Sequence, residues 1–187
     1  MADAQAIQAA QRRKNRIALI IILSVTVLSL AGSYGLFHLT RQGDVWGTTN
    51  NGEFVTPPTT VGSLSIRDQQ NQPVTEGGTW WLWVVSSGDC EGACDQALHQ
   101  LRQLHALLNK DANRVRRALV QSGASKSPAI AERYPKLQFL SGRIQSLEPG
   151  IYIVDPIGNL VFRYPLADAG KPVLEDLKRL LKVSQIG

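Results

Sequence analysis

The sequence predicts an α/β fold: a mixed sheet flanked by helices, preceded by one N-terminal transmembrane helix. Three observations predict it. An uncharged apolar run from Ile17 to Phe37 matches the roughly 20 residues an α-helix needs to cross a bilayer core. Beyond it, apolar runs and helically spaced segments follow in the order strand, helix, strand, helix, hairpin, helix, an alternation that builds a mixed α/β sheet. The chain's two cysteines, Cys90 and Cys94, stand where the first buried-looking strand passes into a helix. At 187 residues there is room for one ordinary domain plus attachments.

Taken in order, residues 1–16 read as a cytoplasmic leader, 17–37 as the transmembrane helix, 38–61 as an extended linker and 62–187 as the folded domain. Ser, Thr and Gly within the apolar run are tolerable in a spanning helix, where backbone carbonyls satisfy the hydroxyls. A secretory signal peptide would share the basic start and the small residues Ala31-Gly32-Ser33. Its apolar core, however, covers only about 7–15 residues, and this run continues past those small residues, which favours an uncleaved anchor. Arg12, Arg13, Lys14 and Arg16 abut the amino end, against Arg41 alone near the other. The amino terminus is therefore expected in the cytoplasm, with the domain outside. In a bacterium that is a single pass of the inner membrane with a periplasmic domain.

The formal charge of +5 does not signal nucleic acid. Of it, +3 belongs to residues 1–44, where Arg12, Arg13, Lys14, Arg16 and Arg41 outnumber Asp3 and Asp44. The remaining basic cluster, Arg114, Arg116 and Arg117, reads as a solvated connection, and no aromatic–basic interleaving accompanies it.

In the linker, Gly43, Gly47, Asn50-Asn51-Gly52 and Pro57-Pro58 are turn formers, with Trp46 and Phe54 as packing or docking residues. Ser63 to Asp68 alternates polar and apolar, as a half-buried edge strand does, followed by a turn at 68–73 and a short return from Val74 to Gly78. Trp80 to Val85 is apolar throughout, the pattern of a central strand covered on both faces. Ala97, Leu98, Leu101, Leu104, Leu107 and Leu108 recur at helical spacing, which makes 90–109 an amphipathic helix with Asp89 as its N-cap. Val115 to Val120 is the next strand, and Ser127 to Tyr134 a short helix capped by Ser127 with Pro128 at its first position. Ile151–Val154 and Leu160–Tyr164 form a hairpin about Asp155–Asn159, and Lys171–Val183 a closing amphipathic helix.

Residues four apart on a helix share a face, so Cys90 and Cys94 can act together. Two soft sulfurs so placed suit Cu(I), and they can close a disulfide if the first turn distorts. A helix start favours the thiolate, and Asp89 and Glu91 oppose that effect. His99 and His105 read as surface or boundary residues of the same helix.

At these residues the chain resembles the thioredoxin-like Sco family, membrane-anchored copper chaperones of cytochrome c oxidase assembly. The resemblance covers about residues 62–185. It is carried by the strand leading into Cys90-Glu-Gly-Ala-Cys94, by the hairpin Ile151-Tyr-Ile-Val-Asp-Pro-Ile-Gly-Asn-Leu-Val, and by the closing helix. It implies a thioredoxin-like domain, Cys90 and Cys94 as catalytic residues or metal ligands, Cu(I) as the metal, and a haem-copper oxidase subunit with a copper site as partner. Sco proteins add a histidine ligand just ahead of the hairpin strand. Here that stretch is Ser146-Leu147-Glu148-Pro149-Gly150, and the histidines are His38, His99 and His105. Two cysteines alone would hold Cu(I) transiently and Cu(II) poorly. Pro149 is similar to the cis-proline that faces the cysteines in thioredoxins and their membrane-anchored TlpA-like relatives, and a turn proline ahead of a strand is the alternative reading.

Two functions result. In the first, the chain is an assembly factor for a haem-copper oxidase, acting through Cys90 and Cys94 by Cu(I) delivery or by reduction of the target cysteines, with Cys90 as nucleophile and Cys94 as resolver. In the second, it is a non-catalytic membrane subunit whose domain is an interaction module stapled by a permanent disulfide.

Overall fold

The computed structural model describes residues 2–41, with side chains from Arg12 to Leu39, and residues 49–74, 77–123 and 127–184. Helix α1 (Ala2–Arg41) is one unit and Asn50–Gly187 a second. Within α1, Arg12–Leu39 is long and apolar enough to cross a membrane. Its hydroxyls are satisfied within the helix: Ser24 Oγ donates to the Ile20 carbonyl (2.7 Å) and Thr26 Oγ1 to that of Ile22 (2.9 Å).

The second unit runs β1 (Glu53–Phe54), β2 (Trp80–Val85), α2 (Ala93–Ala106), β3 (Val115–Gln121), α3 (Pro128–Arg133), β4 (Gln138–Ser141), β5 (Gly150–Val154), β6 (Leu160–Tyr164) and α4 (Lys171–Val183). The strands form one six-stranded sheet in the order β1-β6-β5-β2-β3-β4. The pairs β2–β3 and β3–β4 are parallel, and β2–β5, β5–β6 and β1–β6 antiparallel. This is the mixed α/β sheet that the sequence predicts.

Strand β2 is central and buried along its whole length. Alternation splits its side chains between two cores. Trp80, Leu82 and Val84 pack with Leu98 and Leu101 of α2, Ile130 of α3, and Val173 and Leu177 of α4. Trp81, Trp83 and Val85 face the other way, onto Val61, Leu64, Ile66 and Ile144. Helices therefore cover one face and irregular chain the other. Each large side chain buried this way contributes about 1.5–3 kcal/mol, and this fixes the strand from which the cysteine loop departs.

The strand predicted at Ser63–Asp68 does not form. Ser65 sits at φ 51°, which breaks an extended run, and only Arg67 bridges Pro73 and Ser141. The alternation is genuine in burial, since Leu64 and Ile66 are both buried, but it serves as a lid on the sheet rather than as a strand. Of the expected return, Thr75 and Glu76 lie outside the described residues, as does Trp46 in the linker.

The expected linker also enters the sheet, with Glu53 paired to Arg163 and Phe54 to Phe162. Asp176, buried to 1% exposure on α4, holds this entry. Its Oδ2 accepts from the amides of Asn51 (2.7 Å) and Gly52 (2.9 Å) and from the Tyr164 hydroxyl (2.8 Å). Burial first, and the Asp176 contact second, push the Tyr164 hydroxyl well above the ordinary tyrosine range. A Cβ on Gly52 would lie 2.5 Å from Tyr164 Cζ, so glycine is required there.

The basic cluster is not simply solvated. Arg117 is buried, Arg116 lies over the Trp81 ring at 5.8 Å, and Arg114 donates to the carbonyls of Leu181 and Ser184.

Candidate functional site: the Cys90–Cys94 loop

Chain leaving β2 stays on the sheet for one more residue, the Ser86 amide donating to the Val120 carbonyl (3.1 Å). The next turn is fixed from two sides: Ser86 Oγ (3.0 Å) and Gln121 Nε2 (2.7 Å) both donate to the Gly88 carbonyl. The Cys94 amide then donates to the Glu91 carbonyl (3.1 Å), and Gly92 between them adopts φ 56°, ψ −114°. That is a type II′ turn, which places its first central residue at positive φ.

Helix α2 consequently begins at Ala93, with Gly92 as its N-cap and no side-chain capping bond. The expectation of a helix from residue 90 capped by Asp89 is corrected. Cys90 precedes the helix, and only Cys94 is on it. The Cα atoms of the two cysteines are 5.1 Å apart, shorter than the roughly 6 Å that four residues rise along an α-helix. The helix also stops at Ala106, followed by a 3₁₀ segment, Asn109–Arg114. At α3, Ser127 occupies the N-cap but makes no side-chain capping bond.

A Cβ on Gly92 would meet no atom within 4 Å, so Gly92→Ala tests the backbone alone. Backbone in this sparsely populated positive-φ region costs an L-residue about 1–3 kcal/mol, which for a domain of this size lowers Tm by roughly 3–9 °C. Thermal unfolding of the oxidised protein measures it, and an unchanged Tm would mean that the turn relaxes freely.

Cys90 and Cys94 form a disulfide and both are buried, at 7% and 4% exposure. They are nevertheless inequivalent. Cys94 is on the core-facing side of α2. Cys90 lines a hollow of about 330 Å³ together with Asp89, Glu91, Asp95, Ile130 and Arg133, and Cys94 is not part of that wall. Across the hollow, Arg133 pairs with Asp95 at 2.6 Å, and the Tyr134 hydroxyl donates to Asp95 Oδ1 at 3.4 Å. Burial, and next the Asp95 charge, raise the Tyr134 hydroxyl above its usual range, so it stays a neutral donor beside the site.

Pro149 is exposed and is absent from the wall of the hollow. Its neighbour Gly150 pairs with Val85 at the end of β2. The cis-proline suggested by resemblance is corrected: among the described residues the cis peptide is Thr56–Pro57, so Pro149 is trans. Glu148 beside it pairs with Arg163.

The histidines take other bonds. His105 Nε2 is 2.9 Å from the Val115 carbonyl, and His99 Nε2 is 3.0 Å from Gln103 Nε2. Among the described residues, no three His, Cys, Asp or Glu side chains group to hold a metal. The sulfur donors here are Cys90 and Cys94 alone. Once reduced, such a pair suits soft Cu(I), whereas the neighbouring carboxylates are hard donors matched to other metals.

Three further residues shape the site. Gly92 had a local signal, a glycine between the cysteines. Gln121 and Arg133 reach the loop only through tertiary packing, and nothing near them in sequence announces it.

The model of the family described as a transmembrane-like, thioredoxin-like C-terminal domain matches residues 80–184, more than half of the chain. No curated protein matches. Among solved structures, yeast Sco1 superposes with a TM-score of 0.52 at 17% identity, covering 65% of this chain and 93% of that one. A SCO1/SenC family lipoprotein from Bacillus anthracis gives 0.50 at 12% identity, covering 69% and 94%. ScoI of Bradyrhizobium japonicum with copper bound gives 0.47 at 22% identity, covering 62% and 96%. The fold of the second unit is thioredoxin-like.

Proposed function

The chain belongs to the transmembrane-like, thioredoxin-like family, and from that premise we propose that it is a membrane-anchored assembly factor for a haem-copper oxidase, working at Cys90 and Cys94. Residues 17–37 are the anchor in this reading, with the amino terminus cytoplasmic and the folded domain, from 62 onward with the β1 segment added, on the outer face. The observation that carries the proposal is the asymmetric disulfide. It closes at the carboxyl end of the central strand, with Cys90 opening on a hollow and Cys94 turned to the core.

In the reduced protein, the Cys90 thiolate attacks one sulfur of a target disulfide. A bond from Cys90 Sγ to that sulfur forms, the target S–S bond breaks, and the departing sulfur leaves as a thiolate. The Cys94 thiolate then attacks Cys90 Sγ, releasing the second target thiolate and closing the Cys90–Cys94 bridge. Two electrons pass to the target, and a thiol donor must restore the pair. A bridge of sequence separation 4 constrains the unfolded chain by only about 2 kcal/mol, so both redox forms remain folded. With Pro149 trans and outside the hollow, the proposal assigns it no part in the chemistry beyond leading the chain into β5. Cu(I) held by the same two sulfurs is cargo in a second use of the site, handed to the copper centre of the partner subunit.

The test is the full-length Cys90→Ser/Cys94→Ser protein expressed in place of the native one. Expected is an oxidase that assembles with its copper centre largely unfilled, read from the metal content and near-infrared spectrum of purified oxidase. Full copper loading by the double variant would overturn the proposal and leave an interaction module stapled by a permanent disulfide, a reading that the burial of both cysteines favours.

A further inference from the structure

Charge around the disulfide is lopsided. The folded part of the chain is net positive, yet the described side chains that line the hollow beside Cys90 include three carboxylates, Asp89, Glu91 and Asp95, against one cation, Arg133. Arg133 is committed to Asp95 at 2.6 Å. Asp89 and Glu91, the residues on either side of Cys90, are exposed, and among the described residues neither has an ion-pair partner. The amino end of α2 supplies roughly half a positive charge, which offsets one of them in part. Among the described residues, a reactant approaching Cys90 Sγ through the hollow therefore meets more negative charge than positive.

We infer that this acidic rim selects the reacting partner: a cysteine-bearing segment with positive charge beside its sulfur. The inference rests on the exchange chemistry proposed above and names its substrate class. The target sulfur leaves as a thiolate and the donor that restores the pair attacks as one, so in both steps a neighbouring lysine or arginine cancels the repulsion that an acidic segment would double. Asp89 and Glu91 are positioning residues here, acting through the field and forming no bond.

Small thiols isolate the effect. A thiolate RS⁻ attacks Cys90 Sγ, the RS–Sγ bond forms, the Sγ–Sγ bond breaks, and the electron pair leaves on Cys94 Sγ, which takes a proton from water. A second RS⁻ then displaces the Cys90 thiolate as RSSR. Full-length oxidised protein in an uncharged detergent is reduced by cysteamine, 2-mercaptoethanol and 3-mercaptopropionate, which are cationic, neutral and anionic. Each rate is divided by that thiolate's rate with an uncharged small disulfide, which removes differences in nucleophilicity.

At ~10 mM ionic strength the normalised rates should favour cysteamine over mercaptopropionate by roughly tenfold, falling to about threefold or less at ~0.5 M salt. Asp89→Asn with Glu91→Gln should bring the rates to within about twofold of one another at either salt. Equal rates with wild-type protein, or a preference that survives the double substitution, would overturn the inference and leave the exchange chemistry standing. Failure of all three thiols to reduce the pair would sink both together.

Discussion

Replacing Cys94 by serine leaves Cys90 as a lone thiol that accumulates in a mixed disulfide with its target, whereas Cys90→Ser accumulates none. Turnover in thiol exchange falls to background in both. The asymmetry follows from the placement of the two sulfurs. Both cysteines are buried, but Cys90 precedes α2 and lines the hollow, whereas Cys94, on the core-facing side of the helix, does not line it. In the proposed exchange an incoming sulfur therefore meets Cys90, and the covalent intermediate is released by attack from Cys94. Non-reducing electrophoresis with mass spectrometry of the trapped species measures it. Trapping by Cys90→Ser instead would reverse the assignment of nucleophile and resolver.

Asp176→Ala should cost about 3–5 kcal/mol, the scale for breaking a buried charged hydrogen-bond set by removing one partner. The substitution leaves the amides of Asn51 and Gly52 and the Tyr164 hydroxyl without their acceptor. Tyr164 is fully buried at 1% exposure and cannot turn to water. Asp176→Asn keeps one acceptor oxygen and should lose only about 1–2 kcal/mol. Denaturant unfolding followed by the fluorescence of the buried Trp80, Trp81 and Trp83 gives both values. A loss below about 1 kcal/mol for the alanine variant would mean that the β1 segment contributes little to the fold.

How much of this was legible in the sequence depended on whether the cause was local. Strand β2, the hairpin and α4 were readable because apolarity and period fix them within a few residues. The place of the two cysteines just beyond the central strand is readable for the same reason, since they follow an apolar run. Strand β1 was not, because its pairing depends on Asp176, more than a hundred residues away. Strand β4, Gln138–Ser141, is four residues whose extended form comes from parallel pairing with β3. At Ser63–Asp68 the period was right but its meaning was wrong: the same alternation that marks a strand also suits a segment laid across a sheet. The start of α2 is not legible locally, because Asp89 offers a capping side chain while Gly92, free to take positive φ, is the residue that caps the helix. The trans peptide at Pro149 shows that a proline ahead of a strand does not by itself specify the isomer of its bond.

The clamp at Asp176 also has a mechanical consequence. Any pull transmitted along the chain through residue 49 enters the domain at Asn50–Phe54, where the load falls on Asp176 and on the edge pairing with β6. Strands β6 and β5 stand between that edge and β2. Tension is therefore borne at the rim of the sheet, and the loop that holds the two sulfurs keeps its geometry while the domain is tugged.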